Sequence, residues 1–160
     1  MKFDNTTIRR QDRLMSEEES KSLLRNGEFG YLSMIAEGEN PYGIPISYVW
    51  DGEDSVYFHS APEGKKLRAI ANNNNISFCV VGHTQVIPEH LTTEFVSIVL
   101  KGTIEIVTDE EESMKALGLL LDKYSPEYKE SGMKAAEKSL PRTRILRMNV
   151  AEWSGKAKKS

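Results

Sequence analysis

The chain has 160 residues, 39% of them hydrophobic and 28% charged, with a net charge of −3. This is the composition of a globular protein with one core, and its acidic balance argues against nucleic acid as a partner. The lone cysteine, Cys79, leaves no intrachain disulfide or cysteine zinc site. No apolar run reaches the ~18 residues of a membrane span, and residues 1–13 lack the apolar centre of a secretory signal. A reducing cytoplasm is the expected location, with no membrane partner.

Residues 16–27 read as a short helix, with Ser16 and Glu19 as a capping box and Asn26-Gly27 as the stop. Strand patterns follow at residues 29–36, 42–50 and 56–60. In the second, Ile44, Ile46, Tyr48 and Trp50 alternate with Gly43, Pro45, Ser47 and Val49. Asp51-Gly52 marks the hairpin turn before the third. A helix over about residues 65–71 buries Leu67, Ile70 and Ala71, and four asparagines end it. Residues 76–81 return as a strand with Cys79 read as a core thiol, and residues 82–93 read as a loop.

A long strand over residues 95–107 bends at Gly102. Thr108 and Glu111 suggest a second capping box, opening a helix with Met114, Leu117, Leu120, Leu121 and Tyr124 on one face. Arg142, Arg144 and Arg147 fit either a solvated strand face or pairing with the acidic segment at residues 109–112. Ser125-Pro126 starts another helical stretch, and residues 144–150 form the last strand. These connections suit antiparallel pairing, and six strands with a mid-strand glycine suggest a small closed or split barrel in an α+β protein. One domain spans residues 1–160, with residues 1–12 as an N-terminal arm and the basic residues 156–160 as a flexible tail.

The stretch VYFHSAPEGKKLRAIANNNN, residues 56–75, places Lys65 and Lys66 at a helix start. The backbone there is already partly positive, so each lysine costs roughly 0.3–1 kcal/mol. Two readings fit. Either the lysines lie on a solvated face with Glu63 offsetting part of the charge, or an anion sits among them. Free amides at the helix start, a glycine that permits close approach, donors from His59 and Ser60, and the charge of Lys66 converge on an anion, and phosphate is expected. The GxxxxGK[ST] and GxGxxG spacings are missing, so neither a P-loop nor a dinucleotide fingerprint is indicated.

YGIPISYVW followed by VYFHSAPEGKKLRAIANNNNISFCVV resembles the pyridoxamine-phosphate-oxidase-like flavin proteins, and within them the nitroimidazole-resistance (Nim) branch. RRQDRLMSEEE, EFGYLSM, EFVSIVLKGTIEIV and ILRMNVAEWSGK extend the resemblance from about Arg9 to Lys156. Its HxAxxGxK signature is met by His59, Ala61, Gly64 and Lys66. The resemblance implies a six-stranded antiparallel split β-barrel with flanking helices that binds FMN at the interface of a homodimer. It implies that Lys66, with Lys65, Ser60 and the turn backbone, holds the FMN phosphate. Pro45, Ile46, Ser47 and Tyr48 would lie along the isoalloxazine, Phe58, His59 and Ser60 would form the neighbouring wall, and Ser97 and Trp153 would contribute from the interface. His59 would stand where a substrate meets the flavin, as the catalytic residue. The basic Arg and His motif that closes true pyridoxamine-phosphate oxidases is replaced here by WSGKAKKS, so a pyridoxine phosphate is not the expected substrate.

The expected function is therefore an FMN-dependent oxidoreductase acting on a small organic acceptor such as a nitro-aromatic. Two alternatives stay open: a non-catalytic flavin- or haem-binding carrier, and an empty barrel serving as an interaction dimer. His83, Glu89 and His90 carry metal-competent side chains, but their spacing across Pro88 is no recurring ligand pattern. No metal is expected, and these histidines read as a loop wall over the flavin.

Overall fold

The computed structural model describes residues 1–159. In chain order the strands are β1 (Lys2–Phe3), β2 (Gly30–Ala36), β3 (Asn40–Ile46), β4 (Val49–Trp50), β5 (Ser55–Ser60), β6 (Asn75–Ile87), β7 (Thr92–Ile106) and β8 (Arg144–Lys158). The helices are α1 (Glu17–Asn26), α2 (Lys65–Asn72), α3 (Glu110–Tyr124) and α4 (Lys129–Ser139). Seven strands form an antiparallel sheet in the order β3-β2-β6-β7-β8-β5-β4, and β1 adds to β8 in parallel. The sheet does not close, which makes this the expected α+β split barrel. The six expected strands become eight because residues 42–50 divide at Ser47–Tyr48 and because Lys2–Phe3 docks on β8.

Local chemistry explains most element ends. Ser16 Oγ accepts from Glu19 N at 3.2 Å while Glu19 Oε2 accepts from Ser16 N at 3.0 Å, a reciprocal cap contributing about 1 kcal/mol. The cap of α3 lies one residue beyond the expected Thr108: Asp109 Oδ2 accepts from Glu112 N at 2.8 Å, and Thr108 and Glu111 form no box. In α2 the buried residues are Leu67, Ala69 and Ile70, whereas Ala71 faces out.

Two segments expected to be irregular are strands. Residues 82–87 and 92–94 continue β6 and β7 into a hairpin whose tip is a single 3-10 turn, Pro88–His90. His83 and His90 are exposed on that hairpin rather than on a loop. Its two strands pair with each other, so neither face needs the apolar alternation that marks a half-buried strand. The basic tail is also ordered. Ser97, Val96 and Phe95 pair with Lys156, Ala157 and Lys158, and Lys159 Nζ lies 2.7 Å from Glu19; Ser160 is outside the described residues.

The barrel interior is apolar and rich in aromatic rings. Phe78 meets Tyr48 and Phe58 edge-on at centroid distances of 4.9 and 5.1 Å, and Phe3 meets Trp153 at 5.0 Å. A second core lies outside the barrel wall, where Ala116 and Leu120 of α3 cover Val49, Tyr57 and Ile145. Strands β4 and β5 and the start of β8 are thus buried on both faces. Arg147 bridges Glu105 and Glu112, and Tyr57 Oη donates to Glu112 at 2.8 Å, which ties α3 to β7 and β8. Of the three arginines, then, Arg147 pairs with the acidic segment.

The outer face of β2, β6 and β7 stays open at Tyr31, Val81 and Val99. One cross-strand row there runs Pro45, Tyr31, Cys79, Val99. Tyr31 is 46% exposed and Val99 37%. Cys79 is half-buried on this outer face, not in the barrel core, because Phe78 and Val80 take the inward positions.

Candidate functional site

The corner between β5 and α2 carries Lys65 and Lys66, neither of them in an ion pair among the described residues. Gly64 precedes α2 at φ 144, ψ 172, a backbone region that only glycine enters at low cost. No side chain caps α2, and its first turn carries no acid. Lys65 turns away, its Nζ 4.2 Å above the Tyr42 ring. Lys66 is half-buried, and burial alone lowers its ammonium. No carboxylate among the described residues compensates it. A desolvated ammonium beside free helix-start amides is an arrangement that an anion neutralises.

His59 leaves β5 on the opposite face to Phe58. Its imidazole borders a cavity of about 550 Å³ between the sheet and the α3–α4 pair, lined by Ser47, Leu117, Leu121, Tyr124, Ala136 and other small or apolar side chains. Burial, and then the charge of Lys66, lower the His59 imidazole, which favours its neutral form. A neutral imidazole both donates and accepts, which suits it to hold or pass a proton at a ligand in this cavity. A larger cavity of about 940 Å³ lies on the far side of Ser47 and Tyr124, walled by Arg25, Trp50, Leu119 and Lys123. It lacks His59, so size does not single it out as the reactive compartment.

The last turn of α3 clamps the break between β3 and β4. Tyr124 Oη accepts from Tyr48 N at 3.0 Å, and its own proton reaches Glu28 O at 2.6 Å or Tyr48 O at 3.0 Å. Lys123 Nζ lies 3.5 Å above the Tyr48 ring, buried and without a hydrogen-bond partner. Burial pushes this ammonium down to about 8 from its ordinary 10.5. The unfolded chain therefore holds a proton that the folded chain has released between about pH 8 and 10.5. The resulting stability is complete above 10.5 and lost as pH falls through 8. Lys123→Met should abolish this rise in urea midpoint between pH 8 and 10, and an unchanged slope in the variant would assign the rise elsewhere.

The family model described as pyridoxamine 5'-phosphate oxidase matches residues 16–157, from the α1 cap through this corner to the end of β8. The chain belongs to the pyridoxamine 5'-phosphate oxidase family. No curated protein sequence matches it. Solved structures share its fold. A candidate 5-nitroimidazole antibiotic resistance protein from Bacteroides thetaiotaomicron superposes with a TM-score of 0.73 at 20% identity, covering 91% of this chain and 86% of that one. A flavocytochrome from Azotobacter vinelandii gives 0.77 at 21%, covering 91% and 68%. An FAD-binding protein from Mesorhizobium loti gives 0.66 at 22%, covering 92% and 97%. At these identities the likeness is one of fold.

In this member of the pyridoxamine 5'-phosphate oxidase family, His59, Ser60, Ala61, Gly64 and Lys66 meet at the β5–α2 corner, and Ser47 joins His59 across the smaller cavity. Pro45 is exposed on the edge strand β3, where its missing N–H costs no ladder bond, and Ile46 is half-buried beside it. Tyr48 and Phe58 are fully buried, so a ligand meets only their backbone. Trp153 is 1% exposed inside the barrel and presents no surface to a ligand. Ser97 pairs with Lys156 whereas His59 pairs with Ile145, about 36 Å apart along β8 at 3.3 Å per residue. Ser97 and the corner thus attach to opposite ends of β8. Sequence reasoning missed Lys123, and it placed Tyr124 on an apolar stripe without a role; the available signal was its hydroxyl, the one polar group in that stripe.

Proposed function

We propose that this chain binds a flavin, as flavin mononucleotide, in a cleft completed by a second copy, and that the flavin reduces a small aromatic acceptor beside His59. The carrying observation is Lys66: a half-buried ammonium with no carboxylate, next to an uncapped helix start. It supports a phosphate held by Lys66, Ser60 and the first amides of α2, with the backbone of residues 45–48 along the ring system. The exposed Pro45, Tyr31, Val99 row supports self-association on the outer face, the face that also carries Ser97. That a flavocytochrome and an FAD-binding protein share this fold agrees with a flavin here.

The bound flavin would supply the electron transfer, taking two electrons from an external reduced donor such as a reduced nicotinamide and passing them to the acceptor. The chain supplies the rest. Lys66 anchors one end of the ligand, the α3–α4 pair walls the smaller cavity, and His59 Nε2 or Nδ1 exchanges a proton with the acceptor. An absorbance scan of the purified protein, followed by identification of the chromophore released by heat, tests this reading. The two-banded spectrum of an oxidised flavin is expected. A single intense Soret band would make the chain a haem protein, and a colourless protein that takes up no added flavin would leave it an interaction module.

His59→Ala should retain flavin and slow reoxidation of the reduced flavin by a nitro-aromatic by about 10²-fold or more. Stopped-flow absorbance reads both quantities. Flavin loss with an unchanged reoxidation rate would give His59 a structural role instead.

A further inference from the structure

Helix α4 brings almost nothing to the core. Ala136 is the one buried residue among its eleven. The helix seats on α3 at Gly132, where an added methyl would come within 2.6 Å of Leu121 Cδ2. Gly132, Ala135, Ala136 and Ser139 are spaced three and four apart, so they share one face, and all four line the His59 cavity. Ala135 is exposed and Ala136 buried, so this wall runs from the mouth of the cavity to its floor.

A helix laid beside a sheet ordinarily turns large apolar side chains toward it. Helix α3 does so with Leu117, Leu120 and Leu121, which line the same cavity. On this face α4 offers nothing larger than the hydroxymethyl of Ser139, whose Oγ donates to the Ala136 carbonyl at 3.2 Å within its own helix. What the face contributes is therefore small size, and about 550 Å³ stays open opposite His59. Leaving apolar space unfilled costs stability, and such a departure from packing is expected where a ligand enters.

We infer that this face of α4 is a specificity-determining wall: the small side chains of Ala135 and Ser139 set the size of acceptor admitted beside His59. This rests on the reading of the cavity as the acceptor compartment. A space of this volume accommodates one substituted aromatic ring. Ala135→Leu or Ser139→Leu puts an isobutyl group into the same space, where it competes with the ring. That group also buries apolar surface against the leucines of α3. One substitution thus moves ligand affinity and folding stability in opposite directions.

The experiment titrates nitrobenzene and nitroethane into the purified wild-type chain and into Ala135→Leu, Ser139→Leu and Lys134→Leu, reading the Leu117 methyl signals by NMR and the urea midpoint of each protein. In the wild type both ligands should shift Leu117. In Ala135→Leu nitrobenzene should bind about tenfold or more weakly, the smaller nitroethane should bind as before, and the midpoint should rise by about 0.5 M. Ser139→Leu should move the same way. Lys134 is exposed and lies off the cavity, so Lys134→Leu should leave both affinities unchanged. Unchanged nitrobenzene affinity in both Ala135→Leu and Ser139→Leu, with the wild-type shifts present, overturns the wall and leaves the acceptor compartment standing. Loss of both ligands together with a lowered midpoint in both variants also overturns it, because the face is then purely structural. Nitrobenzene that leaves Leu117 unmoved in the wild type overturns the compartment, and the wall with it.

Discussion

Lys66→Ala is expected to weaken flavin mononucleotide binding by roughly 10- to 150-fold, the equivalent of a lost charge-assisted contact of about 1.5–3 kcal/mol. The effect is large because the ammonium is already half-buried and uncompensated. The chain has met the desolvation cost in advance, and an anion recovers it. Two comparisons isolate the cause. Riboflavin has the same ring system without the phosphate, so the variant should bind it as the wild type does. Lys65→Ala removes a charge from the same helix turn, but one that rests on the Tyr42 ring, and should change flavin mononucleotide affinity little. A fluorescence titration measures all five affinities. If Lys66→Ala and the wild type hold flavin mononucleotide equally well, the corner is not a phosphate site.

Gly102→Ala should cost about 3 kcal/mol of folding stability, at the upper end for one added methyl in a packed interior. Gly102 sits at the bulge where β7 shifts register against β8. A β-carbon there overlaps the Asn149 carbonyl oxygen and comes within 3.0 Å of the carbonyl carbon. The obstacle is backbone, so no rotamer change relieves it. The two longest strands must part at the point where the barrel wall bends. Gly43→Ala is the matched control. It lies exposed on the edge strand β3, where the nearest atom to an added methyl is 3.7 Å away, and its urea midpoint should hardly move. Equal midpoints for Gly102→Ala and the wild type would mean that the bend does not depend on that close approach.

Much of this protein is legible where the signal is local. The Ser16–Glu19 cap, the strand over residues 29–36, the Gly102 bend and the helix start at Lys65 each lie within a few neighbouring residues, and each is formed close to where it is read. The ordered end of β8 was hidden by composition. Trp153, Gly155 and Ala157 alternate inward, but the lysines between them resemble a solvated tail. The hairpin of residues 82–94 was hidden for the opposite reason, since a strand pair buried on neither face carries no alternation at all.

The amino-acid order by itself determined the local corner, because a strand end, a glycine and a lysine at a helix start lie on contiguous backbone. Tertiary structure alone decided what stands around it. Tyr124 meets Tyr48 across 76 residues, Ser97 is carried away from His59 along β8, and Trp153 is drawn into the core. Those placements depend on which faces pack against which, and packing between distant segments leaves no periodic mark on either one.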